Sequence, residues 1–350
     1  MTIEYRPYGG SGLRVSRYCL GAMMFGALGN RDEGECIRIV HAALDAGINF
    51  VDTADAYSGG ESERILAKAL AGRRDKVVLA TKCFFPTGRD PNEGGGSRRW
   101  IVRAVEESLR RLETDWIDVY QLHRRDPLTD LEESLEAMHT LREQGKIRVV
   151  GTSATPAEAI VEAQWIAERR GIARVRSEQC IYSIVARGAE RAVLPACRRY
   201  GLGVMVYAPL GGGWLTGKYR RGAEAPEGSR SLGFWNRTGR WDAGRAEVQR
   251  KYDLVEALEA LAKEAGLPLP HLAMAFASEH PGVSSAIVGP RTLAQAEELL
   301  RGLEVTLTPE LLDRIDALSA PGADLDPRDT SVSVPALEDV RERRRPRFAG

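Results

Sequence analysis

Cysteine is scarce and unpaired in this 350-residue chain. The five residues Cys19, Cys36, Cys83, Cys180 and Cys197 are odd in number, widely scattered and form no C-x-x-C pair. That pattern argues against a disulfide framework and suits free buried thiols in a reducing cytoplasm. Neither sign of charge is in excess, with 49 Lys and Arg against 49 Asp and Glu, so nothing draws the whole chain to nucleic acid. The basic stretch 341–345 is short and interrupted by Glu342, as a solvated segment would be. No apolar run approaches a membrane span, and residues 1–7 lack the apolar core of a signal peptide. H-E-x-x-H and Cys/His clusters are missing, which removes the common metal sites. So is the G-x-S-x-G elbow of serine hydrolases.

What the chain has is alternation. Glycines 9, 10 and 12 between short strand-like pieces predict an N-terminal β-hairpin. From Tyr18 onward, short apolar strands alternate with amphipathic helices. Strands are predicted at 18–20, 49–51, 77–80, 117–120, 147–150, 175–178, 204–207 and 286–288. Ile37, Val40, His41 and Leu44 set the stripe of the first helix, which makes His41 a packing residue. The sixth helix is expected over 189–200, and a long insertion rich in Gly, Arg and Trp over 211–245, after the seventh strand. Eight strand–helix units without a composition break predict an α/β (β/α)8 TIM barrel. An open doubly wound sheet would normally carry G-x-G-x-x-G after its first strand, and the chain has none. Residues 1–320 read as one domain. The polar stretch 321–350 reads as a tail, either passive or a lid.

Three of these strands finish on ionisable residues. Residues 49–57 read NFVDTADAY, so Asp52 ends one strand and Tyr57 lies in the loop beyond it. Lys82 ends the next strand, and His123 the one after. A lone strand-end Asp or His is usually a satisfied polar residue. Four in register on successive strands would meet at the C-terminal mouth of a barrel, where functional groups lie.

The motifs DTADAY, ATKC and IDVYQLH, and their spacing, resemble the aldo-keto reductases, from about Leu20 to about Leu312. The resemblance implies a catalytic tetrad of Asp52, Tyr57, Lys82 and His123, with NADPH/NADP+ as cofactor and a small-molecule carbonyl substrate. A free phenol has a pKa of roughly 10, so Lys82 is expected to lower that of Tyr57. Carried over residue by residue, the cofactor positions are Gly21, Ala22, Met23, Asp52, Ser153, Gln179 and Tyr207. The loop Ala208, Pro209, Leu210 and Gly211 resembles the family's pyrophosphate loop. Lys218 and Arg230 match its belt over the cofactor, and Gly289, Arg291, Gln295 and Glu298 its adenosine contacts. Ala154 and Leu299 depart from the asparagines frequent in the family. The same family includes channel-associated regulatory subunits, the second functional reading.

Met23, Met24, Phe25, Phe84, Phe85, Trp214, Phe234 and Trp235 are candidates for an apolar substrate pocket. Arg124 and Arg125 could attract an anionic substrate. Gly212 to Lys218 imitates a nucleotide-triphosphate loop, but Tyr219 stands where a magnesium-binding Ser or Thr is needed.

Overall fold

The computed structural model describes residues 3–232, 236, 239–330, 340 and 344. An antiparallel hairpin of β1 (Tyr5–Pro7) and β2 (Arg14–Ser16) precedes the main body. Eight parallel strands follow: β3 (Tyr18–Gly21), β4 (Phe50–Asp52), β5 (Val78–Cys83), β6 (Ile117–Leu122), β7 (Ile147–Ser153), β8 (Ser177–Ile181), β9 (Gly203–Tyr207) and β10 (Ser285–Val288). They close in chain order, with β10 pairing both β9 and β3. The fold is a (β/α)8 TIM barrel.

Its helices are α1 (Glu33–Asp45), α2 (Glu61–Leu70), α3 (Arg98–Leu112), α4 (Leu131–Glu143), α5 (Ala157–Arg170), α6 (Val193–Tyr200), α7 (Ala246–Glu264), α8 (Leu269–Glu279), α9 (Leu293–Leu300) and α10 (Pro309–Leu318). Their starts follow local chemistry. Asp32, Ser97, Thr292 and Thr308 each accept a hydrogen bond from a first-turn amide of α1, α3, α9 and α10. Helix α6 begins four residues later than its sequence pattern predicts. Residues 188–191 form a separate 3-10 turn, and Ala192 interrupts the helical path with φ −145°. The strand predicted at 175–178 is shifted to 177–181, although Val175 is buried just before it.

The barrel interior is a small cluster of its own. Cys19, Phe50, Ala80, Val119, Val149, Met205 and Ile287 point inward, and Tyr8 and Val15 of the hairpin region close the N-terminal end. The Tyr8 ring meets Phe50 edge-on at 5.2 Å and its hydroxyl shares a hydrogen bond with Ser177 Oγ at 2.6 Å. Glycine is required at 203, where a Cβ would fall 2.6 Å from the Tyr8 ring. A plugged bottom leaves the opposite mouth as the place for a site. All five cysteines are free and buried. No helix among the described residues is long and apolar enough to cross a membrane.

Beyond residue 320, the chain returns to the barrel. Leu325 N donates to Val185 O, Gly188 N to Asp324 Oδ1, and Asp326 is fully buried. The remainder of the segment read as a tail lies outside the described residues, apart from residues 340 and 344.

Candidate active site

Strand register assembles the four residues. Asp52 ends β4 opposite Ala80 of β5, and Lys82 of β5 lies opposite Gln121 of β6. Lys82 Nζ, wholly buried, donates to Asp52 Oδ2 at 2.7 Å and to the Thr53 carbonyl at 2.7 Å. It reaches the Tyr57 hydroxyl at 3.4 Å. The ring of His123 stands edge-on to Tyr57 at 5.8 Å between centroids. All four predicted residues therefore share the C-terminal mouth.

Burial lowers the pKa of Lys82, but Asp52 and Tyr57 outweigh it and hold the ammonium charged. For Tyr57, burial wins over Lys82, and the phenol is raised above its usual range. The sequence predicts the opposite direction, because the neighbouring charge is visible in it and desolvation is not. His123 is pushed well below the ordinary histidine range by burial, with Lys82 and Arg124 adding to it, so its imidazole is neutral.

Two partners of the tetrad escaped the sequence reading. Gln121 donates to Asp52 Oδ1 at 3.4 Å, and the Thr53 carbonyl accepts a hydrogen bond from Lys82 Nζ. Gln121 carried a signal, since it lies two residues before His123 and so on the same strand face. The carbonyl left no trace in side-chain types.

Backbone strain gathers at this mouth. Ser58, Ala154 and Ala208 have φ of 51°, 53° and 58°, just past β4, β7 and β9. Non-glycine residues reach that region at a cost of order 1 kcal/mol, and such outliers cluster at functional sites. At 154 the family's asparagine would be better tolerated than alanine.

The predicted cofactor positions lie at the C-terminal ends of β3, β4, β7, β8 and β9, in the loops beyond β3, β9 and β10, and on α9. Ala22 N donates to Asp52 O at 2.8 Å, and Gly289 abuts Gly21 across the β10–β3 seam. Met23 is half-buried beside them. Ser153 pairs in register with Gln179, and its hydroxyl is buried without a protein partner. Gln179 itself donates to Asp52 Oδ1 at 2.9 Å. Tyr207 ends β9, and Ala208, Pro209, Leu210 and Gly211 turn sharply, closed by Gly211 N to Ala208 O at 2.8 Å. A Cβ at Gly211 would fall 2.8 Å from Val185 Cγ2. Residues 211–216 run as a 3-10 helix with Gly212 and Gly213 left-handed, which is not the strand–loop–α-helix of a triphosphate loop.

Further round, Arg291 donates to Gly228 O at 2.7 Å and its amide to Gln295 Oε1 at 2.9 Å. Burial, then Arg230 and Arg291, lowers the pKa of Lys218, so its ammonium lies within reach of both guanidinium charges. Lys218 lies over the Tyr219 ring at 5.1 Å, and neither it nor Arg291 makes an ion pair with an acid among the described residues. Glu298 is held on the helix surface by Arg301 at 2.7 Å. A buried unpartnered hydroxyl, a close glycine turn and converging cations suit a phosphate-bearing dinucleotide.

Of the proposed pocket residues, Phe25 and Trp214 are core side chains, at 0% and 1% exposure, and Met24 is buried with them. Trp214 packs instead on Tyr219 and Tyr252. Phe84 and Phe85 remain at the mouth, with Phe85 edge-on to His123 at 4.8 Å. Phe234 and Trp235 lie outside the described residues.

Behind the tetrad sits a second acid. Asp55 is buried with no aligned donor for either carboxyl oxygen, and burial, then Glu63, raises its pKa to about 8. Glu63 is itself satisfied, by Thr81 at 2.7 Å and Arg111 at 2.6 Å. An unfolded Asp titrates near about 3.9. Stability linked to Asp55 is thus complete below about pH 4 and declines as pH rises through about 8. Asp55→Asn is expected to gain on the wild type progressively across that interval, by a few kcal/mol at its upper end. Denaturant unfolding of both proteins from pH 4 to pH 8 checks this; a constant difference would assign the strain to something other than the proton.

The sequence profile of the Aldo/keto reductase family matches residues 17–320. The chain is 38% identical to the Bacillus subtilis protein named "Uncharacterized oxidoreductase YrpG", over 92% of this chain and 98% of that protein. It is 38% identical to a rice protein named "Probable voltage-gated potassium channel subunit beta", over 90% and 96%. It is 34% identical to the versiconal hemiacetal acetate reductase of Aspergillus parasiticus, over 92% and 98%.

Proposed function

This chain belongs to the aldo/keto reductase family of oxidoreductases, and from that premise we propose that it reduces an aldehyde or ketone to an alcohol with NADPH. The observation that carries the proposal is the Lys82 ammonium, buried between the Asp52 carboxylate and the Tyr57 hydroxyl. NADPH, when bound, supplies the hydride to the carbonyl carbon. Tyr57 gives the proton to the carbonyl oxygen. Its raised pKa keeps the phenol protonated at neutral pH, and Lys82 stabilises the phenolate as it forms. Asp52 holds Lys82, while Gln179 and Gln121 hold the other oxygen of Asp52. His123, as a neutral imidazole, is a poor proton source but a good donor for orienting the carbonyl. Ser153 would take the nicotinamide amide, Tyr207 its ring, the 208–211 turn the pyrophosphate, and Lys218, Arg230 and Arg291 the adenosine phosphate.

Some relatives are named as potassium-channel subunits, so a regulatory protein that oxidises bound NADPH once is the second reading. The complete tetrad favours turnover. A carbonyl panel followed by NADPH absorbance separates the two: many turnovers per chain support the enzyme, and one oxidation per chain on every substrate supports the regulator.

The cofactor preference rests on Arg291. Arginine binds a phosphate through two parallel hydrogen bonds. Arg291→Ala is expected to raise the apparent KM for NADPH by about tenfold or more and to change that for NADH little. Steady-state kinetics with both cofactors test it. Equal losses would show that Arg291 acts only by pinning Gly228.

A further inference from the structure

Two adjacent arginines, Arg124 and Arg125, follow His123, and the structure separates them. Arg125 is exposed and pairs with Glu162 of α5 at 3.5 Å. Arg124 is half-buried, and its guanidinium donates to the His123 carbonyl and lies 5.8 Å from the centre of the Phe85 ring. It has no ion pair with an acid among the described residues. The neighbouring acids are engaged elsewhere. Asp126 accepts from Gly96 N, Leu128 N and Thr129 Oγ1. Glu178 is wholly buried, accepts from Thr152 Oγ1 and Thr155 N, and feels the Arg124 charge without forming an ion pair with it. Yet the Arg124 charge is felt inside the site, since it helps keep His123 neutral and draws the Tyr57 phenol downward.

A chain of ring contacts runs from the proposed reacting groups to this charge. Tyr57 meets His123, His123 meets Phe85 at 4.8 Å, and Phe85 meets Arg124. A carbonyl oxygen held by Tyr57 and His123 would leave its substituent against Phe85, with the guanidinium about one aromatic ring further out.

We propose that Arg124 is an anion-recognising residue of the substrate site, and that the preferred substrates are carbonyl compounds carrying a carboxylate about one ring's length from the carbonyl. The assignment rests on the carbonyl-reductase reading above and narrows its substrate class. A partly desolvated guanidinium without an acidic partner gains most from a ligand carboxylate, because a charge-assisted pair of hydrogen bonds replaces water. Phe85 supplies the flat apolar wall for the spacer between the two groups.

The test uses the full chain at saturating NADPH with 4-carboxybenzaldehyde and its uncharged methyl ester, methyl 4-formylbenzoate. The wild type should favour the acid by about tenfold or more in kcat/KM, chiefly through KM. Arg124→Met should bring the acid-to-ester ratio near one, and Arg124→Lys should keep part of it. High salt should reduce the ratio as well, because the pair is partly exposed. A purely structural role for Arg124 would lower both substrates by the same factor and leave the ratio standing, which overturns the proposal. So does reduction of the ester by the wild type with no preference for the acid, and that outcome leaves carbonyl reduction itself intact. Reduction of neither aldehyde overturns both readings.

Discussion

Replacing Tyr57 with phenylalanine should slow the hydride-transfer step by roughly 10²-fold or more, the usual scale for loss of a general acid. The ring stays and only the hydroxyl leaves, so its edge contact with His123 and the surrounding packing should survive. Lys82→Met should cause a comparable loss by another route. Burial already holds the Tyr57 phenol above its ordinary range, and Lys82 is the largest force in the other direction. Without it the phenolate would be still harder to form, and alcohol oxidation, which needs the phenolate as base, should move to higher pH. Lys82→Met also strips Asp52 of its buried counter-ion, leaving that carboxylate to Gln179 and Gln121. The stability of this variant must therefore be measured beside its rate. Both substitutions act through one proton, so the double variant should lose far less than the product of the single losses. Single-turnover kinetics across pH, with circular dichroism on each variant, give the answer. A folded Tyr57→Phe protein working at near wild-type rate would falsify the assignment of the acid.

Lys251→Met should cost about 3–5 kcal/mol of stability, the scale for breaking a buried ion pair. Lys251 on α7 is wholly buried and faces Asp326 at 3.4 Å and Asp329 at 2.7 Å, the second contact ionic and not an aligned hydrogen bond. Asp326 is also wholly buried and receives Arg245 at 2.9 Å, so one carboxylate ties the end of the insertion, α7 and the returning strap together. Burial raises the pKa of Asp326, but Arg245, the Arg328 amide and Lys251 more than reverse it. Its folded value lies below the usual carboxylate range, so its contribution is present above about pH 4 and fades as pH falls through that lower value. Removing Lys251 would set two carboxylates against each other in the interior. Lys251→Met with Asp326→Asn should recover part of the loss by removing one of them. Denaturant midpoints at an unchanged denaturant slope measure both effects; a single variant within about 0.5 kcal/mol of wild type would mean that water reaches the cluster and screens it.

The barrel was legible because strand and helix periodicities are local, and eight repeats with no break left little choice of closure. That Asp52, Tyr57, Lys82 and His123 meet was legible for a related reason. Asp52, Lys82 and His123 each end a strand, and parallel strands in chain order bring such ends to one mouth. Less legible was anything set by contacts between distant segments. The start of α6 moved because Ala192 interrupts the helical path after a separate 3-10 turn. Phe25 and Trp214 looked like pocket residues by type, but the core took them. The strap that buries Asp326 carries no apolar pattern to announce it.

Sequence alone determined the architecture and the residues that meet at its mouth, since side-chain alternation and strand order depend only on neighbours along the chain. Tertiary structure decided the chemistry those residues have. Whether Tyr57 sits above or below its ordinary pKa is chiefly a contest between desolvation and the Lys82 ammonium, and desolvation exists only once the ring is enclosed. Which of Arg124 and Arg125 is paired turned on a glutamate 37 residues beyond Arg125, on α5, which meets Arg125 and not its neighbour. Burial and pairing are properties of segments far apart in the chain, and no local pattern encodes them.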